Sequence, residues 1–210
     1  MTPELEQTLN AGINELGLTV PHASRQKLLS YLSQLHKWNH AYNLSGIKNI
    51  DEMLTLHILD SLAIAPLIEG ELIADVGTGA GLPGLPLAIC FSDKKFILID
   101  SNSKKTRFIF QTANLLELHN VQVVRNRVED YDCQQQVDIV TSRAFSSLTD
   151  FVTGSQHLLQ QQGKFLAMKG RVPEDEIAAL PEKFSVVAIH PLNIPGARIS
   201  RHVIDIRKKQ

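Results

Sequence analysis

The sequence predicts an α/β fold, in which a seven-stranded, mostly parallel sheet carries helices on both faces and follows an N-terminal helical segment. Up to about residue 68, apolar residues recur at helical spacing. From Glu71 onward, short β-rich runs alternate with amphipathic stretches of helix length, which is typical of a parallel sheet. The last two β-rich runs are joined without room for a helix, so we expect an antiparallel C-terminal hairpin.

Three helices are predicted in the N-terminal segment. The first is expected to begin after Thr2 and end at Gly17, and the second to fill the interval Pro21–Asn43. Asp51 is expected to cap the third, which ends near Pro66. We take residues 1–68 as a helical segment packed on a main domain of residues 69–210.

The main domain contains the predicted sheet. Its strands are expected at Leu72–Val76, Lys95–Asp100, Val121–Val124, Val137–Ser142, Lys164–Lys169, Phe184–His190 and Arg201–Arg207. Helices are expected after Pro83, Ser103, Ser147 and Pro173. Gln160–Gln162 is interpreted as a short polar turn.

Composition excludes several classes of protein. Of 210 residues, 43% are hydrophobic and 20% charged, as in globular proteins that bury a core, and no apolar run approaches the roughly 20 residues of a membrane helix. The acidic N-terminus does not resemble a secretory signal. Cys90 and Cys133 are too few for a disulfide framework or a four-cysteine zinc site. We therefore expect a cytoplasmic protein that does not associate with membranes.

The most informative stretch follows the first predicted strand and reads Asp75-Val-Gly-Thr-Gly-Ala-Gly-Leu-Pro-Gly84. Its glycines allow the chain to turn tightly and to approach a ligand closely, where a Cβ would collide. Ligands of open α/β sheets bind at the carboxyl ends of the strands, which is where this loop lies. The loop is therefore predicted to bind a ligand.

Two ligand classes fit this loop differently. Gly79–Gly84 matches the GxGxxG dinucleotide fingerprint, and Asp100 follows near the end of the next strand. However, Asp75 and three further residues precede Gly79, whereas the dinucleotide fingerprint begins directly after its strand. A carboxylate at the strand end favours a ligand with a cationic amine and repels a pyrophosphate. These features favour S-adenosylmethionine.

The sequence resembles known families at several points. The run Asp-Val-Gly-Thr-Gly-Ala-Gly is similar to the first motif of the Rossmann-like class I methyltransferases, whose fold also has seven strands with a terminal hairpin. Six further segments carry a closer resemblance: Leu35–Asn39, Tyr42–Leu44, His57–Ser61, Ser142–Ala144, Lys169-Gly170 and Arg201-His202. With the glycine loop, and over nearly the whole chain, the sequence resembles the bacterial family of small-subunit ribosomal RNA guanine-N7 methyltransferases, also called glucose-inhibited division protein B. The resemblance implies S-adenosylmethionine-dependent methylation of N7 of one guanine in 16S ribosomal RNA, free or in the small ribosomal subunit.

Candidate cofactor ligands lie in the glycine loop and at the strand ends that follow it. The candidates are Asp75, Gly77, Gly79, Gly81, Leu82, Asp100, Val128, Glu129 and Arg143. Asp100 is suited to accept the ribose hydroxyls, or alternatively to cap the next helix. The resemblance assigns Val128 and Glu129 to the adenine; otherwise Glu129 is an acid in a surface loop.

Arg143 and Lys169 are the candidate catalytic residues. Arg143 ends the fourth strand and is expected to bind guanine O6 or the methionine carboxylate, or to form a salt bridge with Asp75 or Glu129. Lys169 ends the fifth strand and is expected to meet a phosphate or a base edge, or to extend along the surface into solvent.

The residues at the fourth strand end also bear on the acceptor atom. Ser142-Arg143-Ala144 differs from the Asn/Asp-Pro-Pro-aromatic motif of adenine-N6 enzymes, and neither cysteine lies there to attack a cytosine ring. Guanine N7 is already nucleophilic and loses no proton on methylation, so it needs no general base. Catalysis would then consist of positioning and electrostatics.

The polar and aromatic pairs of the N-terminal segment receive structural interpretations. His57 and Asp60 are interpreted as a polar core pair and, since two ligands do not make a metal site, no metal is assigned. Trp38 and Tyr42 are interpreted as helix packing, with a base-stacking platform as the alternative.

The net charge of −1 gives the molecule as a whole no attraction for nucleic acid, although basic residues cluster locally. The clusters are Lys104, Lys105 and Arg107; Arg125 and Arg127; and the tail from Arg201 to Lys209. We expect the tail to contact RNA and the protein to act as a monomer. A nicotinamide-dependent oxidoreductase and a non-catalytic RNA-binding module remain alternative functions.

Overall fold

A computed structural model, which describes residues 2–143 and 145–209, contains the predicted seven-stranded sheet with helices on both faces. Its strands are β1 (Leu72–Val76), β2 (Lys95–Ile99), β3 (Val121–Val124), β4 (Val137–Ser142), β5 (Leu159–Lys169), β6 (Phe184–Pro191) and β7 (His202–Lys208). Their order is β3-β2-β1-β4-β5-β7-β6, and β7 runs antiparallel to both of its neighbours. The predicted fold class and the C-terminal hairpin are therefore confirmed.

The helices also lie where the sequence predicts them. They are α1 (Pro3–Glu15), α2 (His22–Tyr42), α3 (Ile50–Met53), α4 (Asp60–Leu62), α5 (Gly84–Cys90), α6 (Ser103–Leu115), α7 (Leu148–Ser155) and α8 (Glu174–Ala178). A π-helical segment, Leu54–Leu59, joins α3 to α4, and short 3-10 turns occupy Ala65–Leu67 and Val128–Asp130. Among the residues described, no helix combines the length and apolarity needed to cross a membrane.

Two predictions of local structure are wrong. Asn49 caps α3 in place of Asp51, because its side chain accepts hydrogen bonds from the backbone amides of Asp51 and Glu52. Gln160–Gln162 lies inside β5, where the register between β4 and β5 shifts after Val137. Because the strand is irregular here, it contains three consecutive glutamines, and the alternation of apolar residues that predicts a strand is absent.

The N-terminal segment shares a core with the first face of the sheet. Leu28 and Leu32 of α2 belong to the same buried cluster as Leu85 of α5 and Phe108 of α6. The opposite face carries α7 and α8, whose apolar residues pack with Phe165 and others. The helical segment is thereby held against the sheet near the carboxyl ends of its strands.

Candidate functional site

The loop between β1 and α5 has the backbone that its glycines predict. Gly77, Gly79 and Gly81 adopt φ of +65°, +64° and +89°, values that residues with a Cβ rarely adopt. A Cβ built on Gly79 has the Gly77 carbonyl oxygen, at 4.0 Å, as its nearest neighbour, so the space beside this residue is open. The turn therefore presents bare backbone to the crevice at the strand ends.

Three side chains hold this loop in place. Asp75 Oδ2 accepts hydrogen bonds from Thr78 Oγ1 at 2.6 Å and from the Gly84 amide at 2.8 Å. Asp100 Oδ2 accepts one from the Gly79 amide at 2.9 Å, which ties the loop to the end of β2. Tyr31 of α2 donates its hydroxyl to the Ala80 carbonyl at 2.8 Å. Both the sheet and the N-terminal segment thus fix the loop.

Asp75 lies beneath the loop rather than in the crevice. Its side chain is fully buried, and burial raises the pKa of this carboxyl to about 7, against the opposing effects of Thr78 and Gly84. Its Oδ1 atom has no hydrogen-bond partner among the described residues. Asp75 therefore organises the loop, and its partial negative charge stands behind the backbone that a ligand would meet.

Two cavities meet at Gly77. The first cavity, of about 210 Å³, is lined by Gly77, Asp100, Asn126, Val128, Glu129 and Phe145. The second cavity, of about 170 Å³, is lined by Leu44, Ser45, Gly77, Gly79, Lys105 and Arg143, together with Leu82. Both lie at the carboxyl ends of the parallel strands, where ligands bind in this class of fold.

These cavities bring most of the predicted site residues together. The ribose and adenine candidates line the first cavity, and Gly79, Leu82 and Arg143 line the second. Asp75 and Gly81 line neither cavity. Asp75 is buried beneath the loop, and Gly81 faces α5, where a Cβ would lie 2.6 Å from the Leu85 side chain. Asp100 does not cap α6, because that role belongs to Asn102. The assignment of each residue to a ligand stays a prediction.

Arg143 forms its salt bridge with Asp60 of the N-terminal segment. The salt-bridge partners expected from the sequence were Asp75 or Glu129. Arg143 Nη1 lies 3.2 Å from Asp60 Oδ2, and Nη2 lies 3.3 Å from Nδ1 of His57. Burial and the charge of Arg143 lower the pKa of His57 to about 4, so the imidazole is neutral near pH 7. His57 and Asp60 are thus polar core residues, as predicted, and they also border the site.

The Lys169 amine forms an ion pair rather than facing the crevice alone. Its Nζ lies 2.8 Å from Oε2 of Glu176 on α8, and the same oxygen accepts a hydrogen bond from the Leu148 amide. Lys169 lines neither cavity. Its catalytic role stays a prediction, while the geometry gives it a role in fastening α8 and the start of α7 to the end of β5.

Several residues that contact the site were missed by sequence reasoning. Tyr31 reads as one more apolar position of α2, and Ser45 lies in a loop without a pattern; its Oγ is 2.6 Å from His57 Nε2. Phe145 lines the first cavity and packs on Phe151 with ring centroids 5.5 Å apart. The segment Tyr42–Leu44, which belongs to the resemblance, was the available signal for Ser45. Phe145 and Tyr31 carried no such signal.

The residues of the basic tail lie at opposite ends of the strands. Arg201 and His202 lie where β7 begins, beside Lys169 at the end of β5, whereas Lys208 hydrogen-bonds the Leu159 carbonyl at the start of β5. Seven residues of strand separate these ends by about 20 Å. The tail is therefore not one patch, and its contact with RNA stays a prediction.

Other features lie away from the glycine loop. A cavity of about 720 Å³, larger than the two at the glycine loop, lies at the amino ends of β1–β3 on the opposite side of the sheet. Trp38 packs between Tyr42 and Phe108, with ring centroids 5.1 and 5.6 Å away, as helix packing predicts. Within residues 2–143 and 145–209, no group of three or more His, Cys, Asp or Glu is arranged to hold a metal ion.

Comparison with known proteins identifies similar sequences. Residues 24–204 match the GidB family model, described as rRNA small subunit methyltransferase G. A protein named ribosomal RNA small subunit methyltransferase G from Marinomonas sp. (strain MWYL1) is 46% identical over 202 residues, covering 96% of this chain and 97% of that protein. A protein of the same name from Idiomarina loihiensis is 43% identical over 205 residues, covering 98% and 100%.

Solved structures of low sequence identity share the fold. TYW2 from M. jannaschii in complex with AdoMet has a TM-score of 0.58 at 16% identity, covering 73% of this chain and 76% of that chain. A SAM-dependent O-methyltransferase from Thermotoga maritima has a TM-score of 0.55 at 16% identity, covering 72% and 65%. At these identities the likeness concerns the fold alone.

Proposed function

Because this chain belongs to the rRNA small subunit methyltransferase G family, we propose that it transfers a methyl group from S-adenosylmethionine to N7 of one guanine in 16S ribosomal RNA. The observation that carries this proposal is the meeting of the two cavities at Gly77. The first cavity is lined by Asp100 and Glu129 together with Arg127. The second is lined by Arg143 and by Lys105, whose Nζ lies 4.0 Å from Asp100 Oδ2. A cofactor in one cavity and a nucleobase in the other would therefore lie side by side at Gly77.

The residues of the first cavity fit S-adenosylmethionine. Asp100 has two carboxylate oxygens with one backbone amide partner each, so both retain acceptor capacity for ribose hydroxyls. We assign Val128 and Glu129 to the adenine, and the bare backbone of Gly77 and Gly79 to the close approach of the methionine portion. When bound, S-adenosylmethionine supplies an electrophilic methyl group on a cationic sulfur.

Leu82, Gly81 and Asp75 complete this assignment. Leu82 lines the second cavity, Gly81 lets the chain turn onto α5, and Asp75 holds the loop from below. We propose that these residues shape the cofactor site, Asp75 and Gly81 without contacting the cofactor.

The second cavity suits an acceptor that needs no deprotonation. The guanidinium of Arg143 and the ammonium group of Lys105 offer hydrogen-bond donors to this cavity and no acceptor. Neutral His57 lies behind Arg143 and contacts Ser45. Arg143 would orient guanine O6 or the methionine carboxylate, which leaves the N7 lone pair to react without proton transfer. Lys169 would then act by fixing the wall of the site.

The partner follows from the family: 16S ribosomal RNA, free or within the small ribosomal subunit. We propose that residues 1–68 pack on a methyltransferase domain of residues 69–210 and that the protein acts as a monomer in the bacterial cytoplasm. With a net charge of −1, the RNA contact would be confined to cations at the carboxyl edge, such as Arg201.

The test uses small ribosomal subunits from cells that lack the gene. The purified protein is incubated with these subunits and methyl-labelled S-adenosylmethionine, and the 16S RNA is digested and mapped by mass spectrometry. The proposal expects one 7-methylguanosine, and label in an exocyclic amine, or in no nucleotide of either RNA form, would contradict it. Deproteinised 16S RNA, tested in parallel, identifies which of the two forms is the substrate.

Cofactor titration separates the alternative functions. The oxidoreductase predicts binding of NADH, whereas the methyltransferase predicts binding of adenosylhomocysteine and none of NADH. A non-catalytic RNA-binding module would bind subunits without transferring label.

A further inference from the structure

Asp60 joins two strand ends of the site. It is fully buried on α4, with Arg143 Nη1 3.2 Å from its Oδ2 and Arg201 Nε 2.6 Å from its Oδ1. Arg143 follows β4 and Arg201 precedes β7, with β5 between them in the sheet. At the usual spacing of strands, the two ends lie about 10 Å apart. One carboxylate from the helical segment therefore bridges them.

The π-helical segment directs further groups at Arg143. The Leu56 carbonyl accepts a hydrogen bond from Nη1 at 3.2 Å, and His57 Nδ1 lies 3.3 Å from Nη2. Together with Asp60, three groups from residues 56–60, about one helical turn, surround one guanidinium. Because a guanidinium has five N–H donors, these contacts leave donors for a ligand in the second cavity, which Arg143 lines.

Stability alone does not account for this arrangement. Burying a carboxylate with its partners gives little net stability compared with apolar packing of the same volume. The neighbours Leu59 and Leu62 are themselves buried and apolar. Unlike an apolar residue, a carboxylate at this position accepts a hydrogen bond from each arginine and so fixes the orientation of both side chains.

We propose that Asp60 is a positioning residue of this site: it fixes the Arg143 guanidinium against the second cavity and holds Arg201 beside it. The N-terminal segment thereby supplies part of the catalytic arrangement rather than only covering the sheet. The inference rests on the proposed function, in which Arg143 orients the groups that react.

The test is a double-mutant cycle in single-turnover methyl transfer to small subunits, at saturating S-adenosylmethionine. Asp60→Asn and Arg143→Gln are each expected to lower the rate constant at least tenfold. The double variant is expected to stay within about threefold of the slower single variant, because Asp60 acts through Arg143. Losses that multiply, or an Asp60→Asn protein with the wild-type rate, would overturn the proposal.

Two more variants separate positioning from folding and from charge balance. Asp60→Glu keeps the buried charge but displaces it by one methylene, so positioning predicts a slow enzyme and charge balance alone predicts a normal one. Asp205→Asn is the matched control, since Asp205 is also buried and lies 3.7 Å from Arg207 farther along β7. It is expected to keep the rate within twofold. All rates are measured below the melting temperature of each variant.

A readout without activity keeps the inference separate from the proposed function. The guanidinium NMR signals of Arg143, assigned by their loss in Arg143→Gln, are expected to report hindered rotation in the wild type and faster rotation in Asp60→Asn. Unchanged signals would overturn the positioning role even if the protein is active. A wild-type protein that transfers no methyl group would instead contradict the proposed function, while the signals would still decide the inference.

Discussion

Replacing Asp100 with alanine tests the cofactor assignment most directly. The substitution removes a carboxylate at the end of β2 that borders the first cavity and accepts the Gly79 amide at 2.9 Å. Loss of a charged acceptor costs about 1–3 kcal/mol, and cofactor affinity should therefore fall by about 5- to 150-fold. Isothermal titration with adenosylhomocysteine measures this loss.

A second substitution at Asp100 separates the loss of the ribose contact from the loss of the loop contact. Asp100→Asn keeps one oxygen, which can still accept the Gly79 amide, so it should lose less affinity than Asp100→Ala does. Asp130→Ala is the control, because Asp130 follows Glu129 but does not line the cavity. Its affinity should stay within twofold of the wild type. A folded Asp100→Ala protein with wild-type affinity would refute the assignment, and an effect confined to RNA affinity would place Asp100 at the RNA contact.

The remaining predictions concern the loop and its supports. Gly79→Val should abolish adenosylhomocysteine binding while lowering the free energy of unfolding by only ~1–2 kcal/mol, because its side chain fills open space at positive φ; retained affinity in titration would contradict this. Tyr31→Phe should lower the free energy of unfolding in urea by about 1–3 kcal/mol, because the Ala80 carbonyl loses its donor, and should weaken cofactor binding; an unchanged protein would show that the loop needs no such support. As the pH falls from 6.5 to 4, the free energy of unfolding of the wild type should fall by up to about 3 kcal/mol more than that of His57→Gln. The reason is that the imidazole is protonated in the unfolded chain, whereas in the folded protein burial lowers its pKa to about 4. Parallel pH profiles of the two proteins in urea unfolding would contradict this.

Patterns that repeat along the chain were readable from the sequence. The bounds of β1, β3 and β4 match their predictions, and α2 fills Pro21–Asn43 because its apolar residues keep helical spacing. The glycine loop is predicted from the run Asp75–Gly84 and its place after a predicted strand, since glycine tolerates positive φ without steric cost. The C-terminal hairpin followed from chain length between its strands. Each of these depends on residues that are close in sequence.

The sequence also brought the right residues to one edge of the sheet but did not specify their partners. Every strand of the parallel set ends at the same edge, and so Asp100 and Arg143 had to lie near the loop. The sequence offers Asp75 and Glu129 as salt-bridge partners of Arg143, whereas the structure supplies Asp60. Lys169 was placed at the correct edge, yet Glu176 of α8 takes up its charge.

The fold class, the glycine loop and the family can be predicted from the sequence, because they depend on local periodicity, backbone freedom and the order of short motifs. The way in which the N-terminal segment meets the site becomes visible in the folded chain, where Tyr31 supports the loop and Asp60 bridges Arg143 and Arg201. The two arginines are 58 residues apart, and both lie more than 80 residues from Asp60. Such pairings depend on strand order and on the docking of helices across the sheet, which no local pattern encodes.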